Sequence, residues 1–326
     1  MGVDYNGAKL LLWAKRLGAS FERTLTLGHQ GFDCSGRRLR QLTADFGLTI
    51  LPEAIERCVE RPPMGGCYAD AFFQLLGARE LVSVDKSNFE GATLLHDLNE
   101  AFPSSHRGRY TFVYDGGTLE HVFNYPGALR NCLELPANGG HILTIVPAHG
   151  MMGHGFYQIS PELVFRVFNA ENGFALRWVV LFDSAELRAE FFQVNDPAIT
   201  GRRTELASEK PMLMAALAQR VSDVPILIRH PQQSGYAADW ERYAMTAANS
   251  VSAAETAESG WQWRLRTALN PYWPSWLRRW KSKLESRFRD RAGPPRLDNR
   301  VHFRRIGDDE IYGQRHGAAN AFSPKE

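Results

Sequence analysis

Apolar positions along the chain fall into short blocks separated by glycine, proline and polar turns. Ala8 to Gly18 carries Leu10, Leu11, Leu12, Trp13 and Leu17 with Lys15 and Arg16, which predicts a helix stopped by Gly18. The run Thr24-Leu25-Thr26-Leu27 predicts a short strand ending at Gly28. After Pro62-Pro63 and Gly65-Gly66, a helix is predicted from Tyr68 to Leu76. Strands follow at Leu81 to Asp85, Thr93 to Leu95 and Thr111 to Asp115, then a helix over 119–134 and a strand from His141 to Val146. Ser160 is a natural N-cap for a helix from Pro161 to Phe168. Leu176 to Phe182 and Ile226 to Arg229 close the series as strands.

This alternation predicts an α/β protein with a Rossmann-like, doubly wound and mostly parallel sheet. The expected division is an N-terminal helix (1–19), the α/β domain (20–231), a helical C-terminal extension (232–291) and a mobile polar tail (292–326). Composition narrows the class. Hydrophobic residues at 44% and charged residues at 23% suit a soluble chain with a large core. Lys+Arg 38 against Asp+Glu 36 leaves a net charge of +2, too balanced for a protein that coats nucleic acid. The 4 cysteines show no C-x-x-C spacing, so no disulfide framework or zinc knuckle is expected, and a reducing compartment is. No apolar run approaches the roughly 18 residues of a membrane span, and Met1 to Tyr5 lacks a signal peptide's pattern. A cytoplasmic location is expected.

The stretch 261–291 stands apart. It holds Trp261, Trp263, Trp273, Trp276 and Trp280 among arginines and lysines. Such a segment suits an anionic membrane surface, at the inner face of the membrane, or a tryptophan face docked on the α/β domain. No nucleic-acid module accompanies it, so no nucleic-acid partner is expected.

In an open parallel sheet, ligands bind beyond the carboxyl ends of the strands. Gly28, Asp85 and Asp115 stand at such ends. A carboxylate ending the second strand offers two acceptor oxygens to a ribose diol, the role expected of Asp85. Gly65 has the usual spacing of about 20 residues to that acid, but prolines precede it where a strand is needed. Gly28 follows a proper strand, so the turn is read as Gly28-His29-Gln30-Gly31, with residues 31–67 as an insertion.

Val113-Tyr114-Asp115-Gly116-Gly117-Thr118-Leu119-Glu120-His121-Val122 resembles the fourth-strand motif of class I S-adenosylmethionine-dependent methyltransferases. Gly139-Gly140-His141-Ile142-Leu143 is similar to the G-G-x-L that opens their fifth strand. Together with Glu90-Gly91-Ala92, Asp97-Leu98-Asn99 and Gly153-His154-Gly155-Phe156-Tyr157-Gln158, these residues resemble a little-characterised bacterial subgroup that accompanies cell-surface polysaccharide genes. The resemblance covers roughly residues 20–231. His29-Gln30 departs from it, where the family has small residues, as does Thr111, where the family has Asp.

The resemblance implies S-adenosylmethionine as cofactor and methyl transfer to a small or glycan-linked acceptor. Asp85 would hold the ribose, Asp97 and Leu98 the adenine, and Gly28 the methionine portion, with His29, Gln30, Lys86 and Asp115 completing the cofactor contacts. Asp115, Glu120 and His121 would face the transfer site. Imidazole titrates near neutral pH, which makes His121 the candidate general base. His154, on a glycine-rich lid over 150–155, would contact the acceptor together with Tyr157 and Gln158. His149 and His154 flank Gly150-Met151-Met152-Gly153 with no dedicated third ligand evident, so no metal is assigned. Two alternatives stay open: a scaffold that keeps the fold without methyl transfer, and a nucleotide-sugar or dinucleotide enzyme.

Overall fold

A computed structural model describes residues 2–61, 66–254 and 296–313. The tryptophan-rich stretch 261–291 lies outside the described residues. The chain opens with β1 (Gly2–Asp4), α1 (Tyr5–Arg16), β2 (Arg23–Leu27), β3 (Gly31–Asp33), α2 (Gly36–Asp45), α3 (Pro52–Val59) and α4 (Asp70–Leu75). It continues through β4 (Glu80–Asp85), β5 (Leu94–Leu95), β6 (Tyr110–Asp115), α5 (Tyr125–Glu134), β7 (Pro136–His149) and α6 (Pro161–Val167). Then come β8 (Phe174–Asp183), β9 (Phe192–Val194), α7 (Pro197–Thr200), β10 (Met212–Arg220), α8 (Ser234–Ala254), β11 (Phe303–Arg305) and α9 (Asp308–Tyr312).

Among the described residues, nine strands form one sheet in the order β5-β4-β2-β6-β7-β10-β8-β9-β11. The first five are mutually parallel, whereas β10 runs antiparallel between β7 and β8. The chain steps outward from β2 to β4 and β5, then crosses back to β6 and β7. The switch in strand order therefore lies between β2 and β6, where open α/β sheets place ligands. This is the Rossmann-like, mostly parallel sheet that the strand–helix alternation predicts.

Side chains alternate across the sheet and divide the core into two faces. Phe112 and Tyr114 of β6 pack on one side with Leu10, Leu11 and Trp13 of α1 and Phe72 of α4. Val113 packs on the other with Leu129 and Cys132 of α5 and Val164 of α6. Helix α1 is set by Asp4, whose carboxylate accepts the Gly7 N–H at 2.7 Å as an N-cap. Trp13 stacks on Trp178 of β8, ring centroids 4.7 Å apart.

Several elements differ from expectation. Residues 119–134 split into a single turn of 3-10 helix at Leu119–His121 and helix α5, because Pro126 can enter a helix only at its first turn. The expected strand at Ile226 to Arg229 is a turn instead. Leu227 has φ +52°, and the Arg130 guanidinium donates to the Ile226 and Leu227 carbonyls. The last central strand is β10, buried on both faces. Part of the expected mobile tail is ordered: β11 pairs with β9, and α9 buries Ile311. The expected insertion holds β3, paired in parallel with β1, and two helices on the α1 face.

Candidate active site

The carboxyl ends of β2, β4, β6 and β7 meet at one edge of the sheet. The β2 turn is tied to β4 by a hydrogen bond from the Gly28 N–H to the Val84 carbonyl, 2.7 Å. Gly28 has φ +75°, a conformation that favours glycine. Asp85 ends β4 half-buried, and its Oδ1 accepts the Ser87 N–H at 3.2 Å. It stands at the carboxyl end of its strand, which neighbours β2 on the side away from β6.

The two departures from a small-residue turn have structural consequences. His29 is anchored on both ring nitrogens, Nδ1 to the Glu90 carbonyl at 2.6 Å and Nε2 to Asp70 at 2.8 Å. Its ring also stacks on Tyr68 at 3.8 Å. It therefore clamps the β2 turn to α4 and to the loop after β4. Gln30 is buried. Its amide nitrogen donates to the Leu27 carbonyl, and its Oε1 has no hydrogen-bond partner and faces Gly116 at the β2–β6 crevice. Tyr68 and Asp70 belong to no motif, and Glu90 stands in Glu90-Gly91-Ala92 without an assigned role, so these partners were not predicted as site residues.

Asp97 accepts the Asn99 backbone N–H at 3.0 Å and pairs with Lys86 at 2.8 Å. This pairing holds its carboxyl well below the usual range. Leu98 is in the core with Phe102 and Leu119 rather than open to a ligand. Asp115 differs from expectation too. It is fully buried, its Oδ1 accepting the Thr118 N–H at 2.9 Å and its Oδ2 accepting the Thr144 hydroxyl at 2.8 Å. It shapes the β6 turn and presents no atom to a transfer site.

Glu120, His121 and His154 converge. The Glu120 side chain is 0% exposed, yet neither carboxylate oxygen has a hydrogen-bond partner. His154 Nε2 lies 3.3 Å from Glu120 Oε1 and His121 Nε2 4.0 Å, with the two rings edge to face at 5.0 Å. Burial, and then the nearby Asp115, push the Glu120 carboxyl up to about 8. Burial also lowers both histidines, which favours the neutral imidazole. His121 remains half-exposed at the edge, with an accessible ring.

The loop after β7 is pinned over this cluster. Phe156 N–H donates to the Glu120 carbonyl at 2.8 Å, and Tyr157 hydroxyl to the Phe123 carbonyl at 2.7 Å. Gln158 Oε1 accepts the Met151 N–H at 2.9 Å. Tyr157 and Gln158 are thus engaged in holding the loop, while His154 lines a cleft of about 680 Å³. That cleft is also lined by Asp4, His29, Gly116, Met151 and Ser184. Among the described residues, no helix is long and apolar enough to cross a membrane.

No family model and no curated protein matches the chain. Among solved structures, it is similar to a SAM-dependent methyltransferase of Thermotoga maritima, with 10% identity and a TM-score of 0.37 over 67% of this chain and 90% of that one. A Burkholderia thailandensis 1,6-didemethyltoxoflavin-N1-methyltransferase, solved with 1,6-didemethyltoxoflavin and S-adenosylhomocysteine, aligns at 12% identity and a TM-score of 0.36. That match covers 67% of this chain and 78% of the other. An S-adenosylmethionine-dependent methyltransferase of Mesorhizobium loti aligns at 16% identity and a TM-score of 0.35, covering 66% of this chain and all (100%) of that one.

Proposed function

We propose that this chain is an S-adenosylmethionine-dependent methyltransferase acting on a small or glycan-linked acceptor. The observation that carries the reading is the unpartnered Gln30 Oε1 at the β2–β6 crevice, in the turn that Gly28 opens. A buried acceptor without a donor is costly unless a ligand supplies one, and an α-ammonium group does so. Asp85 has acceptor capacity left for a ribose diol, since only its Oδ1 receives the Ser87 N–H. The bound cofactor supplies an electrophilic methyl group. The protein's part is to align the acceptor and take its proton where needed. His121, half-exposed and held toward its neutral form, is the residue for that proton. His154 lines the cleft that would take the acceptor.

The second reading is a binding protein that keeps the fold without methyl transfer. His29 favours it: its ring fills the turn and is locked by Glu90, Asp70 and Tyr68. Calorimetry on the full chain with S-adenosylmethionine, S-adenosylhomocysteine and NAD separates the possibilities. The methyltransferase reading expects saturable binding of the first two and none of NAD. Binding of NAD alone, or of none of the three, overturns it. With binding established, a screen of acceptors using labelled cofactor should yield product that His121→Ala abolishes.

A further inference from the structure

The Glu120 carboxylate poses a problem of its own. A fully buried carboxylate normally accepts several hydrogen bonds, because an unsatisfied buried charge is among the costliest groups in a fold. Here both oxygens lack a donor, and so does His154 Nε2 beside them. Two imidazole nitrogens lie beside Oε1, at 3.3 Å and 4.0 Å, and neither makes a hydrogen bond to the carboxylate. One donor atom from each of Glu120, His121 and His154 falls within 4.8 Å of the other two. Ligands about 2.1 Å from a tetrahedral ion stand about 3.4 Å apart, so a small contraction of this cluster closes it around a cation.

We propose that Glu120, His121 and His154 bind one divalent first-row transition-metal ion. Two imidazoles with a single carboxylate select zinc-like ions over magnesium or calcium, which prefer all-oxygen shells. The ligands are preorganised from two elements. Glu120 and His121 sit on the rigid turn after β6, and His154 is brought in by the loop after β7. That loop is fastened to Glu120 itself through the Phe156 N–H, and internally through the His154 N–H to the Met151 carbonyl at 2.9 Å. Three protein ligands leave a coordination position open, and His154 lines the cleft toward which it would face. Metal binding is a property of these three residues and does not depend on the methyl-transfer reading. If both hold, the ion and not His121 meets the acceptor, because the imidazole lone pair is then committed to the metal.

The test is titration of untagged, chelator-stripped full-length protein with Co2+, followed by visible absorption, and with Zn2+, followed by calorimetry. The proposal expects one equivalent bound, with ligand-field bands of a low-coordinate Co2+ site. His154→Ala and Glu120→Gln should each weaken binding by about 100-fold or more. His149→Ala, at the end of β7 just before that loop and bonded to the Ser208 carbonyl, should bind as wild type. Should Glu120→Gln fail to fold, His154→Ala and His121→Ala on the exposed loops decide, with Zn2+-dependent thermal stabilisation as a second readout. No saturable binding by the wild type, or wild-type affinity in His154→Ala and His121→Ala, overturns the site. So does an equal loss in His149→Ala.

Discussion

Glu120 Oε1 and His154 Nε2 lie 3.3 Å apart although they come from different loops, and neither makes a hydrogen bond. The relationship has a pH signature in metal-free protein. Burial and Asp115 push the Glu120 carboxyl up to about 8, so the folded chain holds a proton that the unfolded chain releases at the ordinary glutamate value of about 4.3. The stability this proton contributes is complete below that value and is lost as pH rises toward 8. His121 and His154, lowered by burial, act in the opposite sense: their contribution is lost as pH falls below about 6.5. Glu120→Gln isolates the carboxyl. In urea melts with chelator, the stability of wild type relative to Glu120→Gln should decline from about pH 5 to pH 8. A difference that stays flat across this range would show that no proton is held there.

Gly116 is required by its neighbours. A Cβ at this position would fall 2.7 Å from the Tyr114 ring and 2.9 Å from its hydroxyl, and closer still to Gln30 Oε1. Tyr114 is fully buried and has no room to swing away. Gly116→Ala should destabilise the fold by about 1–3 kcal/mol, the usual cost of overpacking. Because Gln30 must move, S-adenosylhomocysteine affinity should fall as well. Unfolding measurements with wild-type stability would mean that the crevice is looser than its geometry indicates.

Asp115 is a structural hub. Thr144→Val keeps the side-chain shape and removes one buried bond to a carboxylate, which should cost about 1.5–3 kcal/mol. Asp115→Ala should cost more, since the Thr118 and Leu119 N–H groups lose their acceptor too. Neither change should alter cofactor affinity per folded molecule, measured by calorimetry well below the melting temperature. A selective loss of affinity in stable Thr144→Val protein would return Asp115 to the binding site.

Asp85 carries the ribose role in the proposed cofactor site. Asp85→Ala should weaken S-adenosylhomocysteine binding by about 1.5–3 kcal/mol, roughly 10- to 150-fold. Stability should change little, because Asp85 is only half-buried and its Oδ1 accepts one local N–H. Equal affinity in the two proteins would remove the role.

The parallel core was legible because its signals are local. Leu81 to Asp85, Thr111 to Asp115 and Leu176 to Phe182 each lie inside an observed strand, and Ser160 caps α6 as its residue type predicts. Strand β10 was not legible. Its run Met212-Leu213-Met214-Ala215-Ala216-Leu217-Ala218 favours a helix by intrinsic propensity, and only its slot between β7 and β8, buried on both faces, makes it a strand. The site divides in the same way. Asp85 was singled out as an acid at a strand end, His121 and His154 by residue type in the turn and loop beyond two strands, and Glu120 through the resemblance. Asp115 was read as facing the site, but the register of β6 against β7 turns it onto Thr144 and buries it. The convergence of Glu120 and His121 with His154 depends on how two loops close over one sheet edge. Sequence reports the chemistry each side chain can perform, whereas the distance between side chains on separate loops is set by packing of the whole sheet.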